Sequence, residues 1–166
     1  IGLTERFIED TNHTMLSCAL KDDIWDVIMT GFNMINPSAR HTVLKKTQEN
    51  NVGTLNMFAV RRALSNRAAT LEIISELRKG DQINLSDEAA ENPLGLLSDP
   101  DVAGSVIEAA YRFCRHEPGI DIVLTGTGST KHLAENVAAL QMAPLPDTVQ
   151  DRLRDIFGNV NSVSGN

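Results

Sequence analysis

Ile120-Asp-Ile-Val-Leu-Thr-Gly-Thr-Gly-Ser-Thr-Lys-His132 holds a strand, a glycine loop and the start of a helix in one short run. Its first six residues leave the turn pair Pro118-Gly119 and are mostly apolar and β-branched, as expected of a strand covered on both faces. The pattern changes after Thr125. Gly126 and Gly128 let the backbone approach a ligand closely, while Thr127, Ser129 and the free N–H groups of a helix start favour an anion. The helix is expected over Thr130–Leu140, with Leu133, Val137 and Leu140 on its inward face. The loop is not a phosphate-cradling P-loop, because Lys131 does not follow a glycine, and it lacks the third glycine of the dinucleotide fingerprint. A plain turn before a capped helix fits these residues equally well.

The same strand-then-helix order recurs upstream. Asp26–Phe32 and Val52–Val60 read as buried strands, and Ile1–Thr4 as the end of another whose beginning is cut off. Helices are expected over Asp10–Leu20, from Pro37-Ser38 onward with Val43 and Leu44 inward, and over Thr70–Lys79 up to Gly80. Ser98-Asp-Pro-Asp101 resembles a capping box opening a helix over Val102–Arg115, and Asp147-Thr-Val-Gln150 opens one ending near Phe157. Asp81–Leu97 has no period and reads as a loop, while the polar tail 158–166 is expected to be mobile. Strands alternating with helices imply a parallel α/β sheet. It is either an open doubly wound sheet or about the last four βα units of a (β/α)8 TIM-type barrel, which needs about 250 residues when complete.

Composition narrows the function. The 166 residues carry 42% hydrophobic and 22% charged side chains, which suits one globular domain spanning 1–157. The net charge of −7, with no basic patch, argues against a nucleic-acid partner. No apolar run approaches the roughly 18 residues of a membrane span. Cys18 and Cys114 are the only cysteines and frame no zinc site or disulfide, so a reducing cytoplasm is the expected compartment. His13, His41 and His116 lack metal-ligand spacing and read as surface residues.

Beyond the glycine loop, His132, Glu135 and Asn136 recur three and four residues apart and share one helix face. A nucleotide with its phosphate on the loop could lay its base along that face. The run Thr125–Asn136, followed by Pro144-Leu-Pro146 and a closing helix, resembles the last βα unit of the aldo-keto reductases. Ile1-Gly-Leu-Thr-Glu-Arg-Phe7, Asp26–Pro37 with Phe32-Asn33, and Val52–Leu64 with Met57-Phe-Ala-Val-Arg-Arg-Ala-Leu64 resemble that family's fifth, sixth and seventh units.

The resemblance implies a nicotinamide cofactor, NADP(H) or NAD(H), and a small-molecule carbonyl substrate. It places Thr4 and Glu5 where the family holds the carboxamide with Ser-Asn, Met29 where a carboxamide-binding Gln is common, and Met57 against the nicotinamide ring. Gly126, Thr127, Gly128, Ser129, His132, Glu135 and Asn136 fall at the adenosine phosphate and adenine positions. Arg61 could meet a pyrophosphate or merely solvate a loop. Glu5 and Met29 depart from the usual amide partners, and Gly126 stands where many members carry a lysine. Without the resemblance, Met29 and Met57 are ordinary core residues.

The family's Tyr, Asp, Lys and His lie on its first four units and have no counterpart here. The one tyrosine, Tyr111, sits mid-helix among Val106, Ile107 and Ala110, where packing is expected. Two expectations follow. Either the chain is the cofactor-binding part of a longer NAD(P)H-dependent oxidoreductase, as its start at Ile1 suggests, or it is a non-catalytic half-barrel that binds nucleotide or pairs with itself or another chain.

Overall fold

The strand Val27–Gly31 organises the sheet. In the computed structural model, which describes residues 1–166, this strand (β2) lies between β1 (Gly2–Thr4) and β3 (Gly53–Met57). β4 (Ile122–Val123) pairs with the far side of β3, and every pairing is parallel. The order β1-β2-β3-β4 follows the sequence, so each crossover joins neighbours. The register aligns Thr4, Met29, Leu55 and Ile122 in one row, and Thr30, Asn56 and Val123 in the next. Successive strand residues face opposite sides. The second row lies on the helix-covered face, where Thr30 and Asn56 are fully buried. The first row lies on the other face, where Ile122 is 54% exposed.

The covering layer consists of α1 (Thr14–Ala19), a π-helical turn Arg40–Leu44 running into α2 (Lys45–Glu49), α3 (Arg62–Ser65), α4 (Arg67–Lys79), α5 (Asp87–Glu91), α6 (Val106–Arg115), α7 (Thr130–Gln141) and α8 (Asp147–Phe157). Their inward residues, among them Leu16, Leu44, Ile74, Leu77 and Phe157, join Ile28 in one core. Phe32 and Phe113 stack at 5.5 Å within it. The Arg40 guanidinium lies 5.7 and 5.9 Å from those ring centres and makes a two-pronged bond, 2.6 and 2.7 Å, to Glu117. That pair ties the turn after β2 to the segment entering β4, with the planar fork geometry that makes such pairs strong.

Several local expectations change. The helix expected at Val102 begins at Val106, because Ser105 Oγ accepts the Glu108 N–H at 3.1 Å and Glu108 Oε2 accepts the Gly104 N–H at 3.1 Å. This reciprocal cap displaces the one read at Ser98, and Asp99 instead accepts the Asp101 N–H within a turn. α1 is shorter than expected because Asp10 caps it, accepting from Thr14 (2.9 Å) and Met15 (2.8 Å). The expected loop 81–97 contains α5, capped by Ser86, and a 3-10 turn from Gly95.

The tail 158–166, expected to be mobile, is pinned. Val160, Val163 and Ser164 are buried, and the carbonyls of Val163, Ser164 and Gly165 accept from Asn36 (2.8 Å), Asn33 (3.1 Å) and the Ala63 N–H (3.0 Å). Buried asparagines need partners, and here the backbone of the tail supplies them. On α7 only part of the expected inward stripe holds: Leu140 packs against the core, but Leu133 and Val137 are 46% and 43% exposed, whereas Asn136 and Ala139 are buried. No helix is long and apolar enough to cross a membrane.

Candidate functional site

The backbone between β4 and α7 is rich in unused donors. Ser129 Oγ caps α7 by accepting the His132 N–H at 3.3 Å, and Thr127 Oγ1 accepts the Ser129 N–H at 3.1 Å. The N–H groups of Gly126, Thr127, Gly128, Thr130 and Lys131 have no acceptor within the chain. A Cβ at Gly126 or at Gly128 would meet nothing within 4 Å, so the space above the loop is open. Neutral donors converging at the start of a 12-residue helix favour an anion.

Beside this loop lies a cavity of about 950 Å³. Of the residues singled out from the sequence, Met57, Arg61, Gly126, Thr127, His132, Glu135 and Asn136 line it. The helix face carrying His132, Glu135 and Asn136 therefore does turn toward the cavity that the glycine loop borders. Asn136 is 7% exposed; its Nδ2 donates to Thr125 Oγ1 at 2.7 Å, and its Oδ1 has no partner in the chain. Thr125 Oγ1 in turn lies 2.8 Å from the Tyr111 hydroxyl. Tyr111 is buried as expected, and its hydroxyl steadies Asn136 through Thr125. Sequence reasoning missed this Tyr111–Thr125 support, because the two residues sit on different elements with no shared period.

Arg61 faces the cavity from the β3 side. Its guanidinium lies 4.1 Å over the Phe58 ring, and its Nη2 and Nε donate to Asn166 Oδ1 at 2.6 and 3.1 Å. Phe58 itself has φ of 68°, a left-handed conformation that is strained for an aromatic residue. Asn33 Nδ2 braces the strained residue by donating to its carbonyl at 3.3 Å.

Five singled-out residues lie away from the cavity wall, among them Ser129, which is spent as the α7 cap. Thr4 and Met29 are register partners on the open face of the sheet, and Gly128 sits in the loop without lining the cavity. Glu5 is separated from Thr4 by strand alternation, which turns it to the covered face, where it is 4% exposed. There its carboxylate accepts from His13 Nδ1 (2.9 Å to both oxygens), Thr30 Oγ1 (2.9 Å) and the Gly31 N–H (2.6 Å). A carboxylate so engaged has little left to offer a carboxamide. His13, read as a surface residue, is fully buried, stacked on Phe7 at 5.2 Å, and its Nε2 has no partner.

No group of three or more His, Cys, Asp or Glu side chains is placed to hold a metal ion. Cys18 is exposed and Cys114 buried, and both are free.

No family model and no curated protein sequence matches the chain. Among solved structures it is similar to the aldo-keto reductase AKR11C1 from Bacillus halodurans in its holo form, with a TM-score of 0.60 and 16% identity. The match covers 92% of this chain and 48% of that one, so this chain spans about half the length of the structure it matches. The parallel four-stranded sheet with its flanking helices thus has the fold of part of an aldo-keto reductase barrel.

Proposed function

We propose that this chain is the dinucleotide-binding half of an NAD(P)H-dependent oxidoreductase of the aldo-keto reductase family, acting on aldehydes, ketones or the corresponding alcohols. The observation that carries the proposal is the set of unpartnered N–H groups of Gly126, Thr127, Gly128, Thr130 and Lys131, bordering a cavity where Asn136 keeps a free acceptor. The residues present suit such a ligand. The loop donors would hold the adenosine phosphate, and the His132, Glu135 and Asn136 face would take the adenine, whose exocyclic amine needs an acceptor such as Asn136 Oδ1. Met57 offers an apolar surface on the same wall, and Arg61 a guanidinium for the pyrophosphate in exchange for Asn166. When bound, the nicotinamide supplies or accepts the hydride.

The chain's own part in the chemistry is then to bind and orient. Proton transfer at the substrate oxygen would fall to a group outside it. Four further βα units, pairing with the free edges of β1 and β4, would complete the barrel and carry that group.

A fluorescence titration of the protein with NADH and NADPH tests this. Saturable binding of at least one, with a Kd on the order of micromolar, is expected. Asn136→Ala should weaken it roughly tenfold, the equivalent of about one hydrogen bond. Absence of saturable binding by both dinucleotides would refute the proposal.

A further inference from the structure

We infer that Phe58 is a positioning residue: its ring, backed by a buried stack that ends in the Glu5–His13 pair, holds the Arg61 guanidinium ready for a diphosphate. The inference rests on the cavity being a dinucleotide site, and it concerns how that site presents its cation. Arg61 is the one arginine or lysine lining the cavity. Ordering a flexible side chain on binding costs affinity. Here much of the ordering is done in advance: the guanidinium lies 4.1 Å over the Phe58 ring, well within cation–π range, and Phe58 lines the same wall.

The ring is placed by what lies behind it. Phe7 meets it edge-on, with centroids 5.5 Å apart and planes at 88°. His13 stacks on Phe7 at 5.2 Å and 13°. Both arrangements are ones that aromatic rings favour. Phe7 and His13 are buried, and His13 Nδ1 is fixed by both Glu5 oxygens at 2.9 Å. Glu5 is anchored in turn to the end of β2 through Thr30 Oγ1 and the Gly31 N–H. Contacts therefore run unbroken from a buried hydrogen-bonded pair to the guanidinium on the cavity wall.

Three residues give up ordinary backbone or packing to build this stack. His13 and Phe58 have φ of 58° and 68°, a left-handed conformation that bulky side chains rarely adopt. A Cβ on Gly31 would run into the Phe7 ring, so only glycine there leaves the ring its place. Strain of this kind persists where the surroundings over-determine it, and it gathers at ligand clamps. Apart from the ring, the guanidinium has one partner, the neutral amide oxygen of Asn166 at the surface. A diphosphate would displace that amide, because hydrogen bonds to an ionised acceptor are the stronger.

The test reads the stack without ligand and then with it. In the NMR spectrum of the free protein the Arg61 side-chain protons should be shifted upfield by the ring current, and Phe58→Leu should abolish that shift. In fluorescence titrations with NADH and NADPH, Arg61→Ala should weaken the tighter dinucleotide roughly tenfold, and Phe58→Leu several-fold. In the Arg61→Ala background Phe58→Leu should cost nothing further, which a merely structural role would not produce. Phe58→Tyr keeps the ring and should bind as the parent does. Phe58→Gly relieves the left-handed strain, yet should lose affinity as Phe58→Leu does, whatever its melting temperature. Additive losses in the cycle, parent-like binding by Phe58→Leu, or unshifted Arg61 protons overturn the inference while leaving the dinucleotide site standing. Binding of neither dinucleotide by the parent overturns the site and the inference with it.

Discussion

Replacing His13 should unseat the ends of β1 and β2 together, and the size of the loss follows from what the imidazole touches. Its Nδ1 donates to a carboxylate that is itself 4% exposed, at 2.9 Å to each oxygen. A hydrogen bond to a charged group contributes about 1.5–3 kcal/mol. The ring also stacks on Phe7 at 5.2 Å and 13°, worth roughly 0.5–1.5 kcal/mol beyond its area. One term opposes these. His13 sits at φ of 58°, where a non-glycine residue is strained, but alanine inherits the same strain, so His13→Ala recovers none of it. Glu5 keeps Thr30 Oγ1 and the Gly31 N–H, which limits the penalty of leaving it buried with one donor fewer. The expected loss is about 3–4 kcal/mol, within the range for breaking a buried pair by removing one partner.

Urea unfolding followed by circular dichroism measures this, with the midpoint shifting at constant slope. Glu5→Gln removes the charge that needs the imidazole, so His13→Ala should cost less in that background. The double-mutant cycle should give a coupling of at least about 1.5 kcal/mol. A loss under about 1 kcal/mol, or additive losses in the cycle, would mean that the Glu5–His13 contact does not hold these strand ends and that the energetic argument fails.

Three further perturbations have defined outcomes. Gly31→Ala would drive a methyl group into the Phe7 ring, which must then leave His13 and Phe58; a loss of about 2–3 kcal/mol is expected in thermal melts, and a neutral variant would show that the ring moves freely. Asp10 is subject to burial, which raises its pKa, but the N–H groups of Met15 and Thr14 outweigh that and hold it below the ordinary 3.8. A depressed carboxyl stabilises the fold above its unfolded-state pKa and loses that contribution as pH falls through its folded-state value. The gap in unfolding midpoint between the parent and Asp10→Asn should therefore be constant well above 3.8 and narrow as the pH falls below it, and a gap independent of pH would contradict the assignment. Ser105→Ala should cost about 1 kcal/mol through loss of the α6 cap, while Ser98→Ala should cost almost nothing; the reverse order in chemical denaturation would place the helix start where the sequence alone suggested it.

The βα alternation was legible because a buried parallel strand has to be nearly continuously apolar, and Asp26–Phe32 and Val52–Val60 are. The glycine loop was legible for a related reason: glycines and hydroxyls between such a strand and a helix have few other uses. What remained hidden depends on partners distant in sequence. His13 carries no metal spacing and sits among polar residues, so nothing local shows that Glu5, on the next turn of chain back, is turned to the covered face to meet it. The tail looked free because its residues are small and polar, yet Asn33 and Asn36 were two buried amides in need of acceptors, and tail carbonyls are what they found. Cap position failed because Ser98-x-x-Asp101 and Ser105-x-x-Glu108 are both plausible signals; the glutamate, one methylene longer, reaches back to the Gly104 N–H.

α7 shows how a correct period can still yield the wrong face. Leu133, Val137 and Leu140 do form a helical stripe, but a stripe does not say which neighbour it meets. Asn136 and Ala139 lie inward instead, because Thr125 and Tyr111 give the asparagine a partner that makes its burial tolerable. Leu133 and Val137 stay outward, and Ile122 on the edge strand β4 and Leu124 just after it are 54% and 38% exposed. Around the other edge strand, Ile1 before β1 and Ile8 after it are 71% and 55% exposed. Apolar side chains exposed beside both edge strands are surface that further chain could cover. The four further βα units proposed to bring the proton-transfer group would cover both edges at once.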